Sequence, residues 1–467
     1  MDSLVVRSTQ PSPDSGHEVE SPGANLVSGG PAPPTVGNML WGVVVLGLLL
    51  VSIRVFGLTQ AQSGQLLRGP HGGNYWLLKF THLFFDNTVP ALGALLFGAG
   101  MLRFLTKPSA TGGLATASAE QHERYLRRQL WLGFLGVVNA FLLLSPVDWL
   151  FQLSVVGLLL FPLQRLSGQA LVVGAVVAGL IFSGKGYWNY TEQQDKFTSY
   201  TNVVALEKKH IKLTDQQKED KSVWEGMLKR VAYDKKKDQA NLISLRTDYP
   251  TAWSFLLRPL QGRHSWQFYT LDLWQIMSIT LLGMGLFRLN FFTNQFSIYR
   301  LLGVTVLGLG VSQTLAWLSW PSYELKWIDS TKLISLGVWP LSDWLQPVEW
   351  GFSAVGLAAL VMLSFRLSRS AGLGRALAAV GQLALTNYLL QTVLCSIFFY
   401  GYGFGYFGDL RLQTLYLVVA EIWLLQVVFS TVWLRYFRIG PAEWLLASLT
   451  YGRKVALSWP ASTSVPA

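Results

Sequence analysis

The sequence predicts an all-α integral membrane protein, a bundle of about ten transmembrane helices with one external helical insertion. Three observations predict it. Hydrophobic residues make up 51% of the 467 and charged residues only 13%, with a mean hydropathy of +0.34, whereas a soluble domain carries about 25% charge. Apolar stretches long enough to cross a bilayer recur along the chain. Lys and Arg are spread unevenly over the short loops between those stretches, as membrane orientation requires.

Residues 1–35 are rich in Pro, Ser and Gly and lack the basic n-region and apolar h-region of a signal peptide, so they read as a disordered tail. Spans are expected near 37–56, 83–105, 128–145, 147–164, 168–184, 268–288, 299–319, 347–365, 376–400 and 411–436. This divides the chain into spans 1–5 over 36–184, an insertion over 185–267, spans 6–10 over 268–439, and an interfacial helix with a tail over 440–467. With the N-terminus cytoplasmic, fifteen Lys/Arg flank the inner ends of the spans and six the short outer loops, which predicts both termini inside.

The insertion then lies outside. Between 186 and 265 it holds 14 Lys/Arg and 10 Asp/Glu, a mixed-sign composition that faces water. From Thr214 it reads as a helix: Thr214 and Gln217 match a capping box, and Val223, Met227 and Val231 recur at helical spacing. Such a helix covers a cavity mouth, lies on the membrane, or is a solvated insertion. The net charge of +11 sits at span ends and in this loop, so it speaks for orientation and against nucleic-acid binding. The partner it implies is the lipid bilayer. A single cysteine, Cys395, excludes an intrachain disulfide and a Cys-based metal site.

Chemistry is sought where polar side chains fall at membrane depth, because hydrocarbon offers them no partner. Thr386, Asn387 and Gln391 sit in the ninth expected span, with Asn387 and Gln391 on one helix face. Glu421, about ten residues into the tenth, is expected to face them, either as a functional carboxylate or as a packing group. His82 and Asp86 lie four apart, so on a helix the carboxylate orients the imidazole for general-base work, or both belong to a headgroup-level cluster with Lys79. Asp148 reads as a helix N-cap, Glu349 as a carboxylate in a first helical turn, and Asp272 and Gln275 as rim residues. Gly283 and Gly285 permit close helix packing.

The string ALTNYLLQ, the Gly/aromatic run ending in FG, LFGAGM at 96–101, LLGMGLFR near 281–288 and GPAEWLLASLTYG at the end resemble the YeiB-like bacterial inner-membrane family. That family's domain is of unknown function, and its fold resembles the integral-membrane acyltransferases. The resemblance implies location in the bacterial inner membrane and a chamber passing an acyl group from a cytoplasmic thioester such as acyl-CoA to an envelope acceptor. Under it, His82 with Asp86 is the base, Glu421 a further catalytic group, and Asn387, Gln391, Thr386, Asp148 and Asn139 line the substrate site. The chain departs from the family pattern where Asn38, Trp41 and Ser52 replace an Asp, an Arg and an Asn, and where Asn139 replaces a His. An amide cannot shuttle a proton at neutral pH, so base chemistry from that His must be absent or relocated. The alternatives are a transporter or lipid-handling protein built on the Glu421, Asn387 and Gln391 cluster, and a non-catalytic membrane partner acting through the insertion.

Overall fold

A computed structural model describes residues 35–68, 72–108, 114–116, 118–231, 234–292, 296–367 and 371–458. The expected disordered tail, except for Thr35, and the side chain of Val231 lie outside the described residues. Among the described residues the regular structure is mainly helical, with a short hairpin pairing β1 (Thr106–Pro108) with β2 (Leu114–Thr116). The first half comprises α1 (Val36–Gly57), α2 (Gln60–Arg68), α3 (Gly73–Thr81), α4 (Thr88–Leu105), α5 (Ala119–Val137), α6 (Leu150–Leu160) and α7 (Gly168–Lys208). Next come α8 (Asp215–Val231), α9 (Lys235–Arg246), α10 (Tyr249–Gly262) and α11 (Leu273–Arg288). The remainder is α12 (Ile298–Ser335), α13 (Leu341–Leu367), α14 (Ala371–Gln382), α15 (Ala384–Phe399), α16 (Leu412–Tyr436) and α17 (Pro441–Tyr451).

Among the described residues, seven helical stretches are long and apolar enough to cross a membrane, and α14 with α15, bent by 81°, makes up to eight. The shortfall from ten falls on the third and fourth expected spans. The first half of α5 carries Glu120, Glu123, Arg124, Arg127 and Arg128, and α6 is 11 residues long before a 3₁₀ turn. Several spans also outrun their apolar core. α7 continues 41 residues without a break, through the boundary expected at 184, with pairs such as Glu192–Lys196 holding its polar half. Likewise Tyr249–Arg288 is one stretch, joined by a π-helical turn over Arg263–Asp272, and runs through the boundary expected at 267.

α8 begins at the expected capping box, with Thr214 N–H donating to Gln217 Oε1 (2.9 Å) and Gln217 N–H to Thr214 Oγ1 (3.3 Å). Its buried face is centred on Trp224, packed on Phe197 and Tyr200 of α7, while Val223 is exposed. One large indole outweighs the valine periodicity. α9 ends on the loop over 400–411: Leu245 O accepts Gly401 N–H and Arg246 Nε donates to Phe407 O (2.6 Å). That loop turns on Gly405 and Gly408, both at positive φ, a conformation glycine adopts without strain.

Small residues set the core distances. A Cβ on Gly98 of α4 would strike the Thr280 backbone of α11, and one on Gly283 would strike the Leu95 backbone in return. Gly42 of α1 and Gly381 of α14 are matched in the same way. Gly100, half a turn further along α4, faces open space. Gly98→Leu or Gly283→Leu should therefore lower stability by about 1–3 kcal/mol or more, seen as a lower melting temperature in detergent, while Gly100→Leu leaves it unchanged.

Candidate functional site

A π-helical turn over His82–Asp86 interrupts the helix between α3 and α4. Such turns occur frequently at functional sites. The predicted pair, four residues apart and so on one face, is in contact here, His82 Nδ1 lying 3.0 Å from Asp86 Oδ2. The same Asp86 oxygen accepts a hydrogen bond from Arg54 Nη2, at the last turn of α1. Arg54 thus fixes the carboxylate, and the carboxylate fixes the imidazole. Tyr323 of α12 stacks on the His82 ring at 3.7 Å between centroids, with Trp320 at 5.4 Å.

With Nδ1 engaged, Nε2 is the ring nitrogen left for chemistry, and His82 lines a cavity of about 640 Å³. Asn87, Tyr323, Ser319, Gln346 and Glu349 share the wall, and Lys229, Asp234, Lys237 and Asn241 of the α8–α9 segment cover it. Asn87 Nδ2 donates to Glu349 Oε1 (2.8 Å), so the 4%-exposed Glu349 is a cavity residue; it is not the expected first-turn carboxylate, because α13 starts at Leu341 and carries Pro347 inside it, which leaves Asp343 in the first turn. The Tyr323 hydroxyl makes no hydrogen bond among the described residues. Positive and negative side chains are both present on the wall, which suits a neutral polar ligand better than an ion. A second cavity, about 450 Å³ and mainly apolar, lies toward the other end of α1 and α4 and shares no lining residue with the first.

The C-terminal polar cluster forms, but Glu421 is not in it. Gln391 Nε2 donates to Gln426 Oε1 and to Val45 O (both 3.0 Å), and Gln426 Nε2 to the Asn387 carbonyl (2.9 Å). Asn387 Nδ2 donates to Ser430 Oγ (2.8 Å) and Val380 O (3.1 Å). Neither Asn387 nor Gln391 lines either cavity. The buried stripe of α16 runs Leu415, Val419, Ile422, Gln426, Ser430, and Glu421 stands off it, exposed. Counting residues from the start of a helix therefore does not fix the face a side chain takes. The amides spend their hydrogen bonds tying α1, α14, α15 and α16 together.

Thr386 belongs to a different device. At the 81° bend, Glu443 of α17 accepts hydrogen bonds from the Leu385 N–H (2.7 Å), the Thr386 N–H (3.1 Å) and the Thr386 hydroxyl. A carboxylate thus caps α15 from another helix, and the family-like strings at 384 and 440 meet there. Asn139, in a π turn over Val138–Leu142, donates to Asp148 Oδ1 (2.9 Å), and Asp148 Oδ2 caps the Phe151 N–H (2.8 Å). An imidazole does approach this carboxylate, from elsewhere: His264 Nε2 is 3.9 Å from Asp148 Oδ2, while its Nδ1 bonds Leu260 O. Sequence reading missed Arg54, Asn87, Tyr323 and His264. The signals available were Asn87 beside Asp86, and Trp320, Tyr323 and Trp327 on one face of α12.

Burial pushes the Glu443 carboxyl above the ordinary carboxylate value, outweighing the lowering by its hydrogen bonds from Thr386. Its folded form therefore holds a proton more tightly than the unfolded chain. That contribution is complete below the ordinary value and is lost as pH rises through the raised one. The melting temperature of the native protein should accordingly fall relative to that of Glu443→Gln as pH rises from 5 to 8. Glu443→Ala should cost about 0.5–2 kcal/mol, as loss of a helix cap does.

Residues 286–453 match the family described as protein of unknown function (DUF418). The chain is 29% identical over 424 residues to the uncharacterized protein YeiB of Escherichia coli (strain K12), covering 88% of this chain and 94% of that one. It is 46% identical over 81 residues to the uncharacterized protein YxaH of Bacillus subtilis (strain 168), 17% of this chain and 19% of that one. An uncharacterized 39.9 kDa protein from Bacillus acidopullulyticus is 43% identical over 79 residues, 17% and 22% of the two chains. No solved structure matches. With several helices of membrane length and a bacterial relative matching along most of its length, the chain is a multi-pass membrane protein similar to YeiB, and its residues 286–453 match the DUF418 family.

Proposed function

We propose that the cavity beneath α8 and α9 is the acceptor site of an acyl transfer, with His82 as general base. The observation that carries this reading is the ordered relay from Arg54 through Asp86 to His82, which ends at a polar cavity. A carboxylate on Nδ1 sets the tautomer, so that neutral Nε2 accepts a proton from a bound hydroxyl. The hydroxyl oxygen attacks the carbonyl carbon of an acyl thioester, the C–S bond breaks, and the imidazolium returns its proton to the departing sulfur. An ester and a free thiol result. Asn387 and Gln391 are engaged elsewhere, so the oxyanion donors fall to the Tyr323 hydroxyl and the second N–H of the Asn87 amide. Acyl-CoA serves here as a substrate. Asp86 and Arg54 act through His82 and are positioning residues.

The charge balance along the chain supports a cytoplasmic location for both termini, with α8–α9 outside the cell. Cys395, the single cysteine, is fully buried, so introduced thiols report without background. A cysteine at Ser222 should react with an impermeant maleimide in intact cells, and one at Lys454 only after lysis. The opposite pattern would invert the reading.

Acyl transfer is tested with purified protein, acyl-CoA and an envelope extract, following thiol release and acylated products by mass spectrometry. His82→Ala should slow turnover about 10²–10⁴-fold, as loss of a general base does. Asp86→Asn should shift the pH profile, which a purely structural lesion would not do, and Glu421→Gln should change nothing. Thiol release that His82→Ala leaves intact would sink the proposal.

A further inference from the structure

The second cavity is a different kind of site. Its walls are mainly apolar, with Val44 and Leu48 of α1, Ala94 and Met101 of α4, Leu132 of α5 and Leu153 of α6. Its volume of about 450 Å³ is that of a small-molecule site. A positive charge stands among these side chains. Arg124 and Arg127 each pair with an acid four residues earlier on α5, Glu120 and Glu123. The residue four before Arg128 is Arg124, so helical spacing gives Arg128 no such partner. Among the described residues Arg128 makes no ion pair or hydrogen bond, and its guanidinium lies 5.3 Å from the Phe104 ring centroid. Beside it Gln129, only 3% exposed, lines the same cavity, and its Oε1 is buried without a partner. Glu443 is the one carboxylate on the wall, and it is engaged in capping α15.

A cationic guanidinium at one end of an apolar cavity selects for both charge and length of chain. A small soluble anion would leave the apolar wall unfilled, and a neutral lipid would leave the guanidinium unpaired. We infer that this cavity binds an amphiphile with one acyl chain and an anionic headgroup, the headgroup at Arg128 and the chain running inward toward Pro90 and Trp149. The chemistry is shared by a free fatty acid and by a single-chain anionic phospholipid. The inference does not rest on the acyl-transfer reading, since the two cavities have no residue in common.

The test uses the full-length protein in a neutral detergent with a fluorescent undecanoic acid as probe. Myristate, lysophosphatidylglycerol and dodecyltrimethylammonium are the competitors. Displacement by myristate alone identifies a free-acid site, by the lysophospholipid alone a headgroup site, and by both a site for the shared chemistry. The cationic amphiphile should not compete. Arg128→Gln should weaken probe binding by about tenfold or more, while Arg128→Lys, which keeps the charge, retains most of it. Gly100→Leu places a side chain at the cavity wall where a Cβ meets nothing within 4 Å, so it should block the probe without disturbing the fold. Binding unchanged in Arg128→Gln or in Gly100→Leu would overturn the site. So would equal competition by the cationic and anionic amphiphiles.

Discussion

Hydrocarbon supplies no hydrogen-bond partner, so a polar side chain carried into this bundle is costly unless another part of the chain or a ligand meets it. The tertiary structure can be followed through those meetings. Asp86 is met by Arg54 and His82, Glu349 by Asn87, Asp148 by Asn139, and Gln391 by Gln426. The Arg54–Asp86, Asn87–Glu349 and Gln391–Gln426 pairs join elements far apart in sequence and so help fix which helices are neighbours, whereas His82–Asp86 and Asn139–Asp148 are local. Leaving one such group unpaired costs about 1–3 kcal/mol, more than a typical surface contact contributes.

The same constraint separates structural polarity from chemical polarity. The Asn387, Gln391, Gln426 and Ser430 amides and hydroxyl bond to one another and to backbone carbonyls, and although Asn387 Oδ1 is buried without a partner, neither Asn387 nor Gln391 lines either cavity. At His82 the pattern is open. One ring nitrogen is fully engaged and the other belongs to a residue on a cavity wall, with an aromatic face stacked against the ring to hold its plane. A network with one free end, aimed at a space, is what proton transfer requires.

Much of this was legible in the chain. The apolar stretches located the long helices, the spacing of His82 and Asp86 gave their contact, and Thr214 with Gln217 announced the start of α8. Local signals succeeded because both partners lie within one or two turns. Arg54 and Asp86 are 32 residues apart, and Asn87 and Glu349 are 262 apart. No spacing rule joins such pairs, and Arg54 read simply as a flanking charge. The placement of Glu421 erred for another reason. Depth was reckoned from the helix start, whereas the apolar rows at Leu415, Val419 and Ile422 already assigned position 421 to the outer face. The insertion boundaries blurred because the apolar pattern ended where the lipid does, and helix hydrogen bonding did not.

The cap that Glu443 places on α15 has a consequence for how the molecule is made. Translation delivers α14 and α15 well before the segment that completes their bend, so the first amides of α15 enter the lipid environment with their eventual acceptor still inside the ribosome. The C-terminal helix is therefore the latch of the assembly. A nascent chain halted before residue 443 would hold every long helix yet leave the bend between α14 and α15 unfastened, open to membrane quality-control proteases.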